Sequence, residues 1–106
     1  MRLATIILAA QIALCAAVMP ASAAEVTVGQ AGKMFNPETV TVKVGDSVKF
    51  NNDDTVTHAV MIEGPTATNV GAIKPGEAKS VSFDQAGTYE VKCAIHPKMK
   101  LTIKVQ

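Results

Sequence analysis

Alternation of apolar and polar residues recurs in seven short runs along this chain: EVTV at 25–28, ETVTVKV at 38–44, SVKF at 47–50, THAVMI at 57–62, KSVSF at 79–83, TYEVKC at 88–93 and KLTIKV at 100–105. A period of two marks a strand with one buried face, because successive side chains leave the backbone on opposite sides. Turn-forming residues separate the runs: VGDS around Gly45 and Asp46, NNDD at 51–54, EGP at 63–65, KPGE at 74–77 and DQAGT at 84–88. Each of these clusters supplies Gly, Pro, Asn or Asp, which tolerate or pre-set the backbone angles of tight turns. No stretch after residue 24 combines a helical apolar period with caps. Short strands with turns about 8 to 12 residues apart predict an all-β domain, a Greek-key β-sandwich of seven to eight strands. The inward series predicts a core of Val26, Val28, Phe35, Val40, Val42, Val44, Val48, Phe50, Val60, Ile62, Val81, Phe83, Tyr89, Val91, Leu101, Ile103 and Val105.

The first two dozen residues do not fit that pattern. Met1 and Arg2 precede an apolar, alanine-rich run from Leu3 to Val18, followed by Pro20 and the small-residue cluster ASAAE. A positive start, a short apolar segment and an A-x-A cleavage pattern describe a secretory signal peptide over residues 1–24, with cleavage after Ala23 or Ala24. The run is too short and wrongly flanked for a membrane span, so no stable membrane insertion is expected. A lipoprotein signal at Cys15 would want a small residue before the cysteine, where the chain has Leu14. Export to the periplasm leaves one domain, residues 25–106, with Cys93 as its only cysteine. One thiol cannot form an internal disulfide, so it is buried and inert, paired with another molecule, or bound to something. Arg2, the only arginine, leaves with the leader, and nine lysines then face nine carboxylates. A near-neutral domain argues against nucleic acid or an anionic membrane as partner.

The stretch KCAIHPKMK at 92–100 gathers Cys93, His96 and Met99. The period-two rule points Tyr89, Val91 and Cys93 to one face of the penultimate strand, and Met99, Leu101, Ile103 and Val105 to the facing side of the last. Pro97 helps to turn the chain between them, leaving His96 midway round the bend. The only other histidine, His58, shares an inward phase with Val60 and Ile62 and needs a polar partner there. A thiolate, two imidazoles and a thioether suit copper in both oxidation states: the sulfurs favour Cu(I) and the imidazoles Cu(II). Structural zinc takes four strong ligands without thioether. A lone cysteine at a strand end is most often a small buried hydrophobe, and a lone methionine is most often core. It is the combination, with the inward His58 and the leader, that argues for a metal site.

Two longer segments, GKMFNPETVTVKVGDSVKFNN at 32–52 and EAKSVSFDQAGTYEVKCAIHPKM at 77–99, resemble the cupredoxins, the small blue copper proteins. Within that family the two-residue gap between His96 and Met99 resembles the amicyanins, with plastocyanins and pseudoazurins more distant. The resemblance implies His58, Cys93, His96 and Met99 as ligands of one copper ion cycling between Cu(I) and Cu(II). It also implies a monomeric one-electron carrier, not an enzyme, serving transient redox partners of the dehydrogenase or cytochrome c type. The rival reading is a module that buffers or delivers copper. A cysteine nucleophile is weaker, since no orienting Asn or Asp is recognisable.

The chain departs from the resemblance at Ala59 and Ala94, where the relatives join the two ligand loops through asparagine and a hydroxyl side chain; both partners are missing here, so no such tie is expected. Ile95 stands where amicyanins have proline, so its N–H is expected to point at the Cys93 sulfur. An apolar docking patch around His96 is expected from Met34, Pro65, Ala94, Ile95 and Pro97, with Lys98 and Lys100 on its rim.

Overall fold

The computed structural model describes residues 23–106. Cys15 and nearly all of the expected leader lie outside the described residues. Nine strands follow in order: β1 (Glu25–Ala31), β2 (Met34–Asn36), β3 (Thr39–Val42), β4 (Ser47–Asn52), β5 (His58–Glu63), β6 (Thr68–Ile73), β7 (Ala78–Ser82), β8 (Gly87–Cys93) and β9 (Lys100–Val105). They form a four-stranded sheet, β2-β1-β4-β7, and a five-stranded sheet, β3-β9-β8-β5-β6. The chain crosses between the sheets at β2/β3, β3/β4, β4/β5, β6/β7 and β7/β8, so neither sheet is a simple meander. Among the described residues there is no helix, and the all-β sandwich expected from the alternation is the observed fold.

Burial follows the pleat. Val48, Phe50 and Asn52 of β4 are buried while their neighbours are half-exposed, and β8 and β9 alternate in the same way. Each large apolar side chain fully removed from water contributes about 1.5–3 kcal/mol, which is why register is held so firmly once one face is buried. Of the expected core, Val26 and Val81 are only partly buried, and Val44 is 49% exposed because it lies beyond the end of β3 in the turn to β4.

Two strands escape the sequence pattern, which predicts seven to eight. β2 is only three residues long and pairs with β1 across the turn at Gly32 and Lys33. β6 does not alternate: its register against β5 shifts between Val60 and Met61, and Gly71, opposite Val60, sits at φ +87°. A side chain at that angle is strained, so glycine absorbs the bulge and breaks the period. Ile73, fully buried at the end of β6, is absent from the expected core for the same reason.

The topology collects the chemistry at one end. β5 and β8 are antiparallel with Val60 opposite Cys93, so β5 begins where β8 ends. β4 runs parallel to β1, and the two finish together at Asn52 and Gln30. The opposite end carries the turn at Gly45 and Asp46, the start of β8, and the C-terminal Gln106, whose carbonyl accepts the Val44 N–H at 3.1 Å. Pro65 belongs to that far end: a Cβ placed on Gly87 would come 2.5 Å from Pro65 Cγ. It is therefore no part of a patch around His96, contrary to the expectation from sequence. Pro65 follows the exit of β5, whereas His58 is the first residue of that strand, so the two lie at opposite ends of it.

Candidate metal centre

His58 opens β5 and Cys93 closes the adjacent β8, so hydrogen bonding between those strands sets both side chains before any metal is considered. The turn after Cys93 supplies the third donor. Met99 N–H donates to the His96 carbonyl at 3.0 Å, closing the loop just before β9. Cys93 Sγ lies 3.7 Å from His58 Nδ1 and 3.7 Å from His96 Nδ1, and the two Nδ1 atoms are 3.1 Å apart. Bonds of about 2.0 Å to nitrogen and 2.3 Å to sulfur would set three donors of one plane about 3.5–3.8 Å apart. The sulfur–nitrogen separations match that spacing and the imidazoles are slightly closer, so the donor set fits a single ion of the copper or zinc size. Met99, 1% exposed, is buried beside this loop and lines a groove with Met34, Phe35, Glu38, Lys98 and Lys100.

Burial differs sharply among the donors. His58 is fully buried and Cys93 is 1% exposed, whereas His96 is half-buried, between exposed Ile95 and Pro97. Lys33, Ile95, His96, Pro97 and Lys98 line a groove of about 330 Å³ over the outer side of the site. Ile95, at 54% exposure, and Met34, at 53%, are the most exposed large apolar side chains among the described residues.

A partner that the sequence pattern does not name holds His58. Asp54 Oδ2 accepts from His58 Nε2 at 3.0 Å and also from the Lys33 N–H at 2.9 Å, while Oδ1 accepts from the Thr55 N–H at 2.8 Å. The Lys33 and Thr55 amides, then the His58 ring, hold the Asp54 carboxyl below the usual carboxylate range. A carboxylate on Nε2 leaves Nδ1 as the lone-pair nitrogen facing the sulfur. Asn52 stabilises this loop from beneath. Its buried amide donates to the Val56 and Ile73 carbonyls at 2.9 and 2.7 Å and accepts the Asp54 N–H at 2.9 Å. The available signal is an aspartate four residues before an inward histidine, but within NNDD it reads only as turn chemistry.

The sulfur's backbone donor also differs from expectation. Ala59 N–H donates to Cys93 Sγ at 3.3 Å, and no such bond comes from Ile95, whose side chain turns outward. The two loops are tied after all, through main chain: Ala94 N–H donates to the Ala59 carbonyl at 2.8 Å. Alanine at both positions removes a side-chain tie without removing the connection.

A β-sandwich with a buried thiol and two imidazoles converging at one end defines a small metalloprotein of mixed nitrogen and sulfur coordination. The sequence profile of the copper binding proteins of the plastocyanin/azurin family matches residues 22–106, and the chain belongs to that family. Plastocyanin of Scenedesmus fuscus is 36% identical over 85 residues, covering 69% of this chain and 87% of the relative. Amicyanin of Paracoccus denitrificans is 32% identical over 96 residues, covering 82% and 73%. A solved amicyanin structure, a methionine-to-alanine variant with Cu(I), superposes with a TM-score of 0.72 at 28% identity, covering 77% of this chain and 82% of that one. The cofactor of the family is copper, and the donor set described above fits it.

Proposed function

We propose that this protein is a periplasmic carrier of single electrons, with one copper ion held by His58, Cys93 and His96 and a weaker bond from Met99. The observation that carries the reading is the convergence of Sγ and both Nδ1 atoms at one end of a rigid sandwich, with a single imidazole reaching its surface. Copper supplies a one-electron couple whose two states tolerate this mixed donor set. The protein does the rest. Strand pairing and the Asp54 and Asn52 bonds hold the donors in one arrangement, so little rearrangement accompanies a change of charge. The Ala59 N–H stabilises negative charge on the thiolate sulfur. Burial of His58 and Cys93 keeps water from one side, and the half-buried His96 offers the short path outward.

The groove around His96 supports transient docking of a redox protein, a dehydrogenase as donor or a c-type cytochrome as acceptor. Such encounters use small interfaces, which suits a monomer with one modest apolar patch. Lys33, Lys98 and Lys100 ring that patch, Glu38 is the one carboxylate lining it, and none of these takes part in an ion pair among the described residues. A partner with an acidic rim fits this face. The apolar leader supports export to the periplasm.

The test is the visible spectrum of the purified, copper-loaded domain. A copper–thiolate bond in such a site gives strong absorption near about 600 nm, and Cys93→Ser abolishes it. Reversible bleaching by a one-electron reductant supports the carrier reading. A colourless protein with copper bound would sink it and favour a module that only stores or delivers the metal.

A further inference from the structure

At the end of the sandwich away from the metal centre, the first described residues are fastened by both backbone groups of Ala24. Its N–H donates to Asp46 Oδ1 at 3.0 Å, and its carbonyl accepts the Ser47 N–H at 3.0 Å. This is the last contact before the parallel pairing of β1 with β4 begins at Glu25 and Ser47. Asp46 itself is built into the turn. Its Oδ2 accepts the Lys43 N–H at 2.9 Å, its own N–H donates to the Lys43 carbonyl at 2.9 Å, and its carbonyl accepts the Phe83 N–H at 2.9 Å.

Two cleavage points satisfy the small-residue rule for a leader, after Ala23 and after Ala24. They differ in what they do to Asp46. Cleavage after Ala24 removes the donor to Oδ1 and the acceptor for Ser47, leaving two polar groups in need of partners at the mouth of β4. Cleavage after Ala23 keeps both bonds and turns the Ala24 amide into an ammonium group beside a carboxylate residue that is only 9% exposed. The donor and the acceptor are then both ionised, so a charge–charge attraction is added to a hydrogen bond already assisted by the carboxylate. We propose that Asp46 is the docking site for the N terminus of the processed chain, which starts at Ala24, and that their ion pair locks the first strand onto the sheet. The Asp46 carboxyl is already held below its usual range by the Ala24 and Lys43 amides, with the Lys43 charge adding to them.

The experiment begins with the full chain exported through its own leader in a bacterial host. Intact mass of the periplasmic, copper-loaded protein should correspond to a start at Ala24, and a start at Glu25 or beyond overturns the proposal. The ion pair is then separated from plain turn-capping by a cycle of four proteins: the chain from Ala24, the same chain with one glycine added ahead of it, and both again with Asp46→Asn. The added glycine keeps an N–H on Ala24 but moves the charge away. With Asp46 in place it should lower the thermal midpoint by about 4–8 °C, and in the Asp46→Asn pair by much less. Equal shifts in both pairs, or none with Asp46 in place, would show that Asp46 only caps its turn. The colour near about 600 nm should be unchanged in all four, since the metal centre is at the other end.

Discussion

At the scale of single residues, Asp54 and Gln30 are polar side chains whose hydrogen bonding the alternation does not reveal. Asp54 accepts from the far nitrogen of a buried imidazole, which makes that ring a stronger donor and favours the more highly charged state of a bound metal. Asp54→Asn should therefore weaken Cu(II) more than Cu(I); a tenfold difference would raise the reduction potential by about 59 mV. Cyclic voltammetry of the two proteins decides it, and an unchanged or lower potential removes the tuning role. Gln30 is fully buried on β1 between its register partners Phe35 and Asn52, yet among the described residues neither atom of its amide has a hydrogen-bond partner from the protein. Burying an amide without bonds costs about 1–3 kcal/mol. Gln30→Met, which keeps the length and drops the polar atoms, should raise the stability read from denaturant unfolding by about 1 kcal/mol. A lower midpoint would mean that the amide is satisfied in the native state.

Among the elements, β6 shows how a strand can be hidden from a period-two reading. The bulge against Val60 puts Gly71 at φ +87°, while a Cβ there would meet nothing closer than Lys79 Nζ at 3.9 Å. Space is available, so the penalty for a side chain is conformational. Gly71→Ala should destabilise the domain by about 1–2 kcal/mol through backbone strain alone. Because β6 ends at Ile73, opposite His58, the same change should also broaden the electron paramagnetic resonance of the copper-loaded protein. A melting curve that matches the parent's would show that the strand relaxes around the new side chain. The loop from Ala94 to Lys98 is the contrasting case: Pro97 and the strand phase on either side of it are enough to foresee which way Cys93 and Met99 turn, and both are buried.

For the molecule as a whole, charge over residues 25–106 is balanced in total but not in distribution. The groove over His96 brings together Lys33 and Lys98, and the neighbouring groove adds Lys100 against Glu38. A cluster of this sign accelerates encounters with anions at low ionic strength, where the Debye length is about 30 Å at 0.01 M. Oxidation of the reduced protein by hexacyanoferrate(III) should slow as salt rises. Replacing all three lysines by glutamine should lower its rate at low salt on the order of tenfold. A cationic cobalt(III) complex should show the opposite trend. The same salt dependence for both oxidants would discard the acidic-partner reading while leaving electron transfer itself intact.

Alternation and turn residues alone determined that the chain makes an all-β sandwich, because a strand with one wet face must repeat every second residue. They also put His58, Cys93 and Met99 on inward phases, and the short turn put His96 between the last two. That much is local, written in spacing. Tertiary structure decided what spacing cannot carry. It chose Asp54 as the partner of His58 and the Ala59 amide as the donor to sulfur, because both depend on how loops from different strands meet. It moved Pro65 to the far end, since only the antiparallel pairing of β5 with β8 says which turns share an end. It also exposed Val44 and buried Gln30 against their residue types, because the ends of strands and the shape of the core, not hydropathy, set who meets water there.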